Sequence, residues 1–317
     1  MTGLPPRNKV GLVGTGMVGA SFAYALMQSG VANELILIDA DEARAEGEAM
    51  DLNHGMPFVS PMRIRAGGYD LLAGCDLTVI TAGANQRPGQ TRLELIQKNA
   101  GVIRDIVPKV VAANPRGTIL VATNPVDVLT EIAAEVAGLP PGHVFGSGTT
   151  LDTARFRFLI GDYFDINPQS VHAYILGEHG DSAVPAWSMA KIAGIPIADF
   201  LGRDGRRADA TVMQRIYEQT RDAAYEIIQR KKSTYYAIGL ALRTVVEAVL
   251  RNEQTVLTVC SPIRGLFGID GISLSLPTIV GHGGAETVLQ SPISPAEIEL
   301  LRKSASILRE MYESVRA

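Results

Sequence analysis

Gly14-Thr15-Gly16-Met17-Val18-Gly19 follows the apolar run Val10 to Val13 and opens a stretch of helical character, so a glycine turn joins a buried strand to a helix. In that setting each glycine has a physical reason. The first permits the tight turn, the second lets the backbone approach a pyrophosphate, and the third lets helix and sheet touch. Asp39 ends the next apolar run 20 residues after Gly19, where a carboxylate can accept hydrogen bonds from both hydroxyls of an adenosine ribose and repel a 2′-phosphate. Asp41 and Glu42 add negative charge there. The motif predicts a dinucleotide site that prefers NAD to NADP.

The same alternation continues to about residue 160. Short apolar runs at Val10 to Val13, Leu35 to Asp39, Arg63 to Ala66, Leu77 to Thr81, Thr118 to Ala122 and Val144 to Gly146 are separated by segments of helical period. Six such units predict an α/β, doubly wound parallel sheet over residues 1–161, with ligands beyond the carboxyl ends of its strands. The pattern then changes. Residues 162–317 predict an α+β substrate-binding and catalytic domain, with strands at Ser170 to Leu176, Thr255 to Cys260 and Ile272 to Val280 and three long helices. Val212, Ile216, Thr220, Ala223 and Ile227 mark one core-facing helix stripe, and Ile298, Leu301, Ala305, Leu308 and Tyr312 mark another. Ser294-Pro295-Ala296-Glu297 is a capping box that fixes where the last helix begins.

Composition narrows the partners. A chain of 317 residues with 46% hydrophobic content and a formal net charge of −4 suits a soluble protein with a substantial core, not a nucleic-acid or membrane-surface binder. Residues 10 to 33 are uncharged and follow Arg7 and Lys9, but five glycines dilute them, which argues against an export signal or a membrane span. Cys75 and Cys260 lie far apart, so neither a disulfide framework nor a thiolate metal site is expected, and a reducing cytoplasm suits them.

Of five histidines, His179 stands out because Gly177-Glu178-His179-Gly180-Asp181 places it in a glycine-flanked loop after a strand. A histidine alone is more often structural than catalytic. Asp152 and Arg155, three apart in Leu151-Asp152-Thr153-Ala154-Arg155-Phe156-Arg157, share a helix face and can enter one cleft, or can simply pair with each other. Arg157, two residues further, points elsewhere.

Together with Gly83-Ala84-Asn85-Gln86-Arg87-Pro88-Gly89-Gln90-Thr91-Arg92, Thr123-Asn124-Pro125-Val126-Asp127 and the segments GEHGDS, STYYAIGLA and SLSLP, these motifs closely resemble the lactate and malate dehydrogenase family over nearly the whole chain. The resemblance implies NAD-dependent oxidoreduction of a 2-hydroxy acid, with no metal. It makes His179 the acid/base, Asp152 its orienting carboxylate, Arg155 the bidentate holder of the substrate carboxylate and Arg92 the group that polarises the carbonyl from a closing loop. Asn124 and Thr234 would line the substrate site. Cofactor contacts would fall on Gly14, Gly16, Met17, Val18, Asp39, Arg44, Tyr69, Gly83, Ala84, Thr123, Asn124, Ser147 and Ile238. The resemblance also implies a homotetramer. Asn124-Pro125 admits a cis bond without requiring one. Lys232 replaces a usual glycine, which puts the local turn in question.

Gln86 bears on the substrate, since malate-specific relatives carry arginine there to pair with a second carboxylate. A neutral side chain suits pyruvate and lactate, the pair of a terminal fermentation step. Arg157 and His172 match positions that bind fructose 1,6-bisphosphate between subunits in allosteric bacterial members; both also suit a structural interface. The competing readings are a malate or larger 2-oxo acid dehydrogenase, and an idle NAD-binding protein on the same fold.

Overall fold

A computed structural model describes residues 8–84 and 92–316, the side chain of Arg92 excepted. Six parallel strands form the centre: β1 (Lys9–Val13), β2 (Glu34–Ile38), β3 (Arg63–Ala66), β4 (Leu77–Ile80), β5 (Thr118–Val121) and β6 (Val144–Gly146), ordered β3-β2-β1-β4-β5-β6. This is the doubly wound order, and it reverses between β1 and β4, where Val10 pairs with Leu35 on one side and Leu77 on the other. Every residue of β1, β2, β4 and β5 is buried, as expected of strands covered on both faces.

The covers are helices. α1 (Met17–Ser29), α2 (Glu42–His54) and a later helix, residues 236–250, lie on one face, where Leu35 and Leu37 meet Phe22, Leu26, Val245 and Val246. α3 (Arg92–Ala113), α4 (Val126–Ala137) and the last helix lie on the other, where Ile36 and Ile38 join a core containing Ile103, Leu129, Leu301 and Leu308. The period-2 alternation of strand residues divides the two cores. α5 (Thr150–Phe164) leads into a third cluster, where Phe156, Ile160 and Phe164 pack on Val171 and Ile192.

The second half is more broken than its hydrophobic runs suggest. Ser170 to Leu176 is two short strands, β7 (Val171–His172) and β8 (Ile175–Leu176), which pair with different partners, β10 (Lys191–Ile192) and β9 (Val184–Pro185). β11 (Ile195–Pro196) completes the small sheet with β10. After α6 (Ala210–Lys231) and α7 (Tyr236–Leu250), Thr255 to Cys260 divides between β12 (Thr255–Leu257) and β13 (Cys260–Arg264). Ile272 to Val280 divides at Pro277 between β14 (Asp270–Ser275) and β15 (Thr278–Gly281), because proline cannot continue a ladder. β16 (Gly284–Val288) pairs with β15, and α8 (Pro295–Glu313) closes the chain behind the expected capping box.

Two outcomes matter for the site. β13 adds antiparallel to β6 through Cys260 and Gly146, and β14 adds to β13, so the central sheet has eight strands and reaches into the second half. α6 is not the core helix its stripe suggests: only Ile216 and Thr220 are buried, because its C-terminal half overlooks a cleft. Among the described residues no helix is long and apolar enough to cross a membrane.

Candidate active site

The glycine turn lies at the reversal point of the sheet, between the ends of β1, β2 and β4. Gly14 has φ 101°, and a Cβ there would lie 2.4 Å from the Ala82 backbone nitrogen. A Cβ on Gly19 would lie 2.1 Å from the Gly14 carbonyl oxygen, so both close approaches need glycine. Gly16 faces open space at the first turn of α1, where no side chain caps the helix. The backbone N–H groups there are available to a phosphate.

Asp39 is held in place by this turn. Its Oδ2 accepts the Thr15 N–H at 2.6 Å and the Thr15 hydroxyl at 2.9 Å, and its Oδ1 accepts the Asp41 N–H at 3.0 Å. Burial raises its pKa, but these bonds and Arg44 outweigh burial and hold it below the usual carboxylate range. With Gly14, Gly16, Arg44, Tyr69, Gly83 and Ala84, Asp39 lines a cleft of about 730 Å³. A bare turn, a helix N-terminus and an ionised carboxylate at that spacing fit a dinucleotide. Met17 is exposed beside it, whereas Val18 and Ile238 turn into the core between α1 and α7. Thr123 and Ser147 are buried, and the Thr123 hydroxyl donates to the Ala82 carbonyl at 2.8 Å.

The second cleft begins where β8 ends. Thr149 and Thr153, at the start of α5, bind both sides of Ile175: the Thr149 hydroxyl donates to its carbonyl at 2.5 Å, and its N–H donates to Thr153 Oγ1 at 3.0 Å. Gly177 exchanges backbone bonds with Ser275 of β14, at 2.9 and 3.0 Å. The loop after β8 and the helix α5 are thereby fixed against each other, and Asp152 meets His179. Asp152 Oδ2 lies 2.5 Å from His179 Nδ1, and its Oδ1 accepts from Arg155 Nη1 at 2.9 Å. Burial alone would depress the imidazole, but the Asp152 charge and hydrogen bond raise its pKa to about 9. Asp152 is driven down by the same partners despite its burial.

His179, Asp152, Arg155 and Asn124 line one cleft, whose far wall is α6 with Thr220, Ala224 and Ile228. Asn124-Pro125 is cis. Since Nδ1 is engaged, Nε2 is the ring nitrogen left to face a ligand. An imidazole kept protonated beside a guanidinium, opposite a mixed wall of Thr220, Arg221, Ala224, Tyr225 and Ile228, suits a small organic anion whose polar end receives a proton. Among the described residues no cluster could hold a metal ion.

Two domain models of lactate/malate dehydrogenases match the chain end to end, the NAD-binding domain over residues 8–146 and the α/β C-terminal domain over residues 149–317. The chain belongs to the lactate/malate dehydrogenase family. The L-lactate dehydrogenase of Acetivibrio thermocellus is 48% identical over 307 residues, covering 97% of each chain. That of Priestia megaterium is 47% identical over 306 residues, covering 96% of each. The minor L-lactate dehydrogenase of Enterococcus mundtii, solved in a ligand-bound form, superposes with a TM-score of 0.95 at 43% identity over 98% of this chain and 99% of that one.

In this family member Gln86 lies outside the described residues, as does the side chain of Arg92. Thr234 does not line the wall beside His179; it sits between α6 and α7, next to Ser233, whose hydroxyl lies 3.0 Å from Met17 Sδ. Arg157 points away from the cleft, with Nε donating to the Ala173 carbonyl at 2.9 Å and its guanidinium over the Tyr174 ring. His172, beside Ala173, is exposed and pairs across the small sheet with Lys191. Two residues escape sequence reasoning. Asn99, buried within α3, accepts the Ala84 N–H at 2.8 Å and donates to the Asn124 carbonyl at 2.9 Å, joining the two clefts. Asp127 accepts the His179 N–H. Asn99 gives only the weak signal of a polar residue in an apolar helix face.

Proposed function

We propose that this chain is an L-lactate dehydrogenase, interconverting pyruvate and L-lactate with NAD. The observation that carries the reading is the Asp152–His179 contact at the wall shared with Arg155. NAD, when bound, supplies the hydride donor or acceptor. His179 gives its Nε2 proton to the keto oxygen in reduction and takes it back in oxidation, and Asp152 keeps the ring oriented and basic. Arg155 receives the substrate carboxylate; among the described residues only its Nη1 is engaged, so an incoming carboxylate meets free donors. Arg92 is given the polarisation of the carbonyl. Asn124 lines the same cleft, and the family resemblance alone adds Thr234, which lies outside that wall. Asp39, Arg44, Tyr69, Gly83 and Ala84 line the cofactor cleft. Gly14, Gly16, Met17, Thr123 and Ser147 complete the cofactor set, to which the family resemblance alone adds Val18 and Ile238, partly buried between α1 and α7.

Gln86 assigns pyruvate over oxaloacetate. Steady-state NADH oxidation should favour pyruvate strongly, and Gln86→Arg should move the preference toward oxaloacetate by about tenfold or more. Unchanged kcat/KM ratios would overturn the assignment, and loss of all turnover in His179→Asn checks the acid/base.

We place the working assembly as a homotetramer in the cytoplasm. Exposed apolar side chains on several helices support association: Met50 on α2, Phe158 on α5, Tyr236 and Leu240 on α7. Arg157, His172 and Lys191 gather cations that suit a sugar bisphosphate, and fructose 1,6-bisphosphate should lower KM for pyruvate. Light scattering and kinetics with and without the bisphosphate test both readings.

A further inference from the structure

Asp127 has no part in the chemistry above, yet its carboxylate is buried more deeply than that of Asp152. The segment Asn124-Pro125-Val126-Asp127 puts it in the first turn of α4, and its side chain turns inward to the His179 loop. Oδ2 accepts the His179 backbone N–H at 2.8 Å. Oδ1 has no well-formed hydrogen bond among the described residues; the Cys260 thiol of β13, a weak donor, faces the carboxylate. A neutral acceptor would satisfy that N–H equally well. A buried carboxylate is the expensive choice.

Burial pushes the Asp127 carboxyl up to about 6, with the Cys260 thiol, the His179 N–H and the imidazole limiting the rise. Because its folded value lies above its ordinary one, ionising Asp127 costs the fold stability as pH rises through that interval, and the cost is present at neutrality. The same charge favours the protonated imidazole. Among the described residues, the titratable groups around His179 are Asp152 and Arg155 from α5, Asp127 from α4, Glu178 and Asp181 from its own loop, and Tyr217, Arg221 and Tyr225 from α6 across the cleft, with Cys260 beyond Asp127. Two carboxylates on separate helices therefore hold this one residue, Asp152 at the ring Nδ1 and Asp127 at the backbone N–H.

We infer that Asp127 is a positioning residue for the reaction: it pins the backbone of His179 and, as a carboxylate, holds the imidazole in its proton-donating form. This rests on the reading of His179 as the acid/base. Asp127→Asn in the full chain separates the two parts, since the amide oxygen can keep the N–H bond while the charge is lost. In 15N-histidine NMR the His179 midpoint should fall by about half a pH unit or more, and the basic limb of kcat/KM for pyruvate should move with it. The plateau below that limb should stay within about threefold and Tm should not drop, because a buried charge has been removed. Asp127→Ala removes the anchor as well, and its plateau should fall about tenfold or more at every pH.

An unshifted His179 midpoint in a folded, active Asp127→Asn enzyme overturns the role given to Asp127 alone. Retained turnover in His179→Asn overturns the acid/base reading instead. If Asp127→Asn does not fold, the unsubstituted chain decides: its His179 resonance should show a second, smaller inflection where Asp127 protonates, and a single inflection overturns the inference.

Discussion

Lys232 closes α6 at φ 73°, with its N–H donating to the Ile228 carbonyl at 2.8 Å, in the left-handed conformation that glycine adopts freely and a lysine pays to enter. The side chain is exposed, so little is lost with it. Lys232→Gly should stabilise the chain by about 0.5–1 kcal/mol after the greater unfolded-state freedom of glycine is allowed for, read as a higher urea midpoint. At His179 the sign runs through protonation. With His179 as the proposed acid, pyruvate reduction needs the protonated ring, so kcat/KM should fall as pH rises through about 9. Asp152→Asn removes the main force raising that value, and a return toward the ordinary 6.5 would cost roughly 30-fold at pH 8. The His179–Asp152 pair also stabilises the fold, fully below the ordinary histidine value and decreasingly as pH rises through about 9, which a Tm series from pH 7 to 10 should register. His179, Asp152 and Arg155 were legible as a set through the family motifs, since loop glycines and helical spacing alone leave a structural histidine and a self-paired Asp152 and Arg155 equally open. Asp127 and Asn99 were not, because each serves the backbone of a segment far away in sequence.

Elements were legible where one partner persists along them. The parallel strands β1 to β6 keep the same neighbours throughout, and their apolar runs end where the ladders end. Ser170 to Leu176 reads as one strand but changes partner at Ala173, and hydrophobic period carries no record of which strand lies alongside. α6 failed for a related reason, since an apolar stripe looks the same whether it faces a core or a cleft. α8 is the reverse case. Ser294 caps the Glu297 N–H at 3.3 Å and Glu297 accepts the Ser294 N–H at 2.8 Å, as the sequence predicts; the structure adds that Glu297 also accepts the Ser188 N–H at 3.0 Å. Glu297 thus ties the last helix to the segment after β9. Ser294→Ala should cost about 1 kcal/mol, the ordinary loss of a cap. Glu297→Ala should cost about 2 kcal/mol, because it removes the bonds to both Ser294 and Ser188, which are only partly shielded from water. Equal effects in chemical denaturation would show that the contact with Ser188 adds nothing.

The whole molecule is organised around a sheet that both halves share. β13 pairs with β6 at Cys260 and Gly146, and β14 carries Ser275 to the Gly177 bridge that holds the catalytic loop. Tyr312 of α8 hydrogen-bonds Glu135 of α4, and the Leu301 to Tyr312 face of α8 lies in the same core as Ile103 and Leu129. The change of pattern after residue 161 predicts two domains, and the family models divide the chain near residue 147, but the two clusters that cover the central sheet draw on both halves, and only the cluster around Phe156 and Ile192 belongs to the second half alone. Residues 8–146 expressed alone would leave β6 as an open apolar edge and expose the surface that α7 and α8 cover. Calorimetry of the intact chain should therefore show one cooperative transition with no separate melting of a C-terminal unit, and the isolated half should aggregate. A ligand that binds only the native molecule then stabilises all of it. NADH at a hundredfold excess over its Kd should add about 2.7 kcal/mol and raise that single transition by several degrees. A second peak that NADH leaves in place would mean that the β6–β13 junction does not couple the halves, and that the geometry at His179 rests on the second half alone.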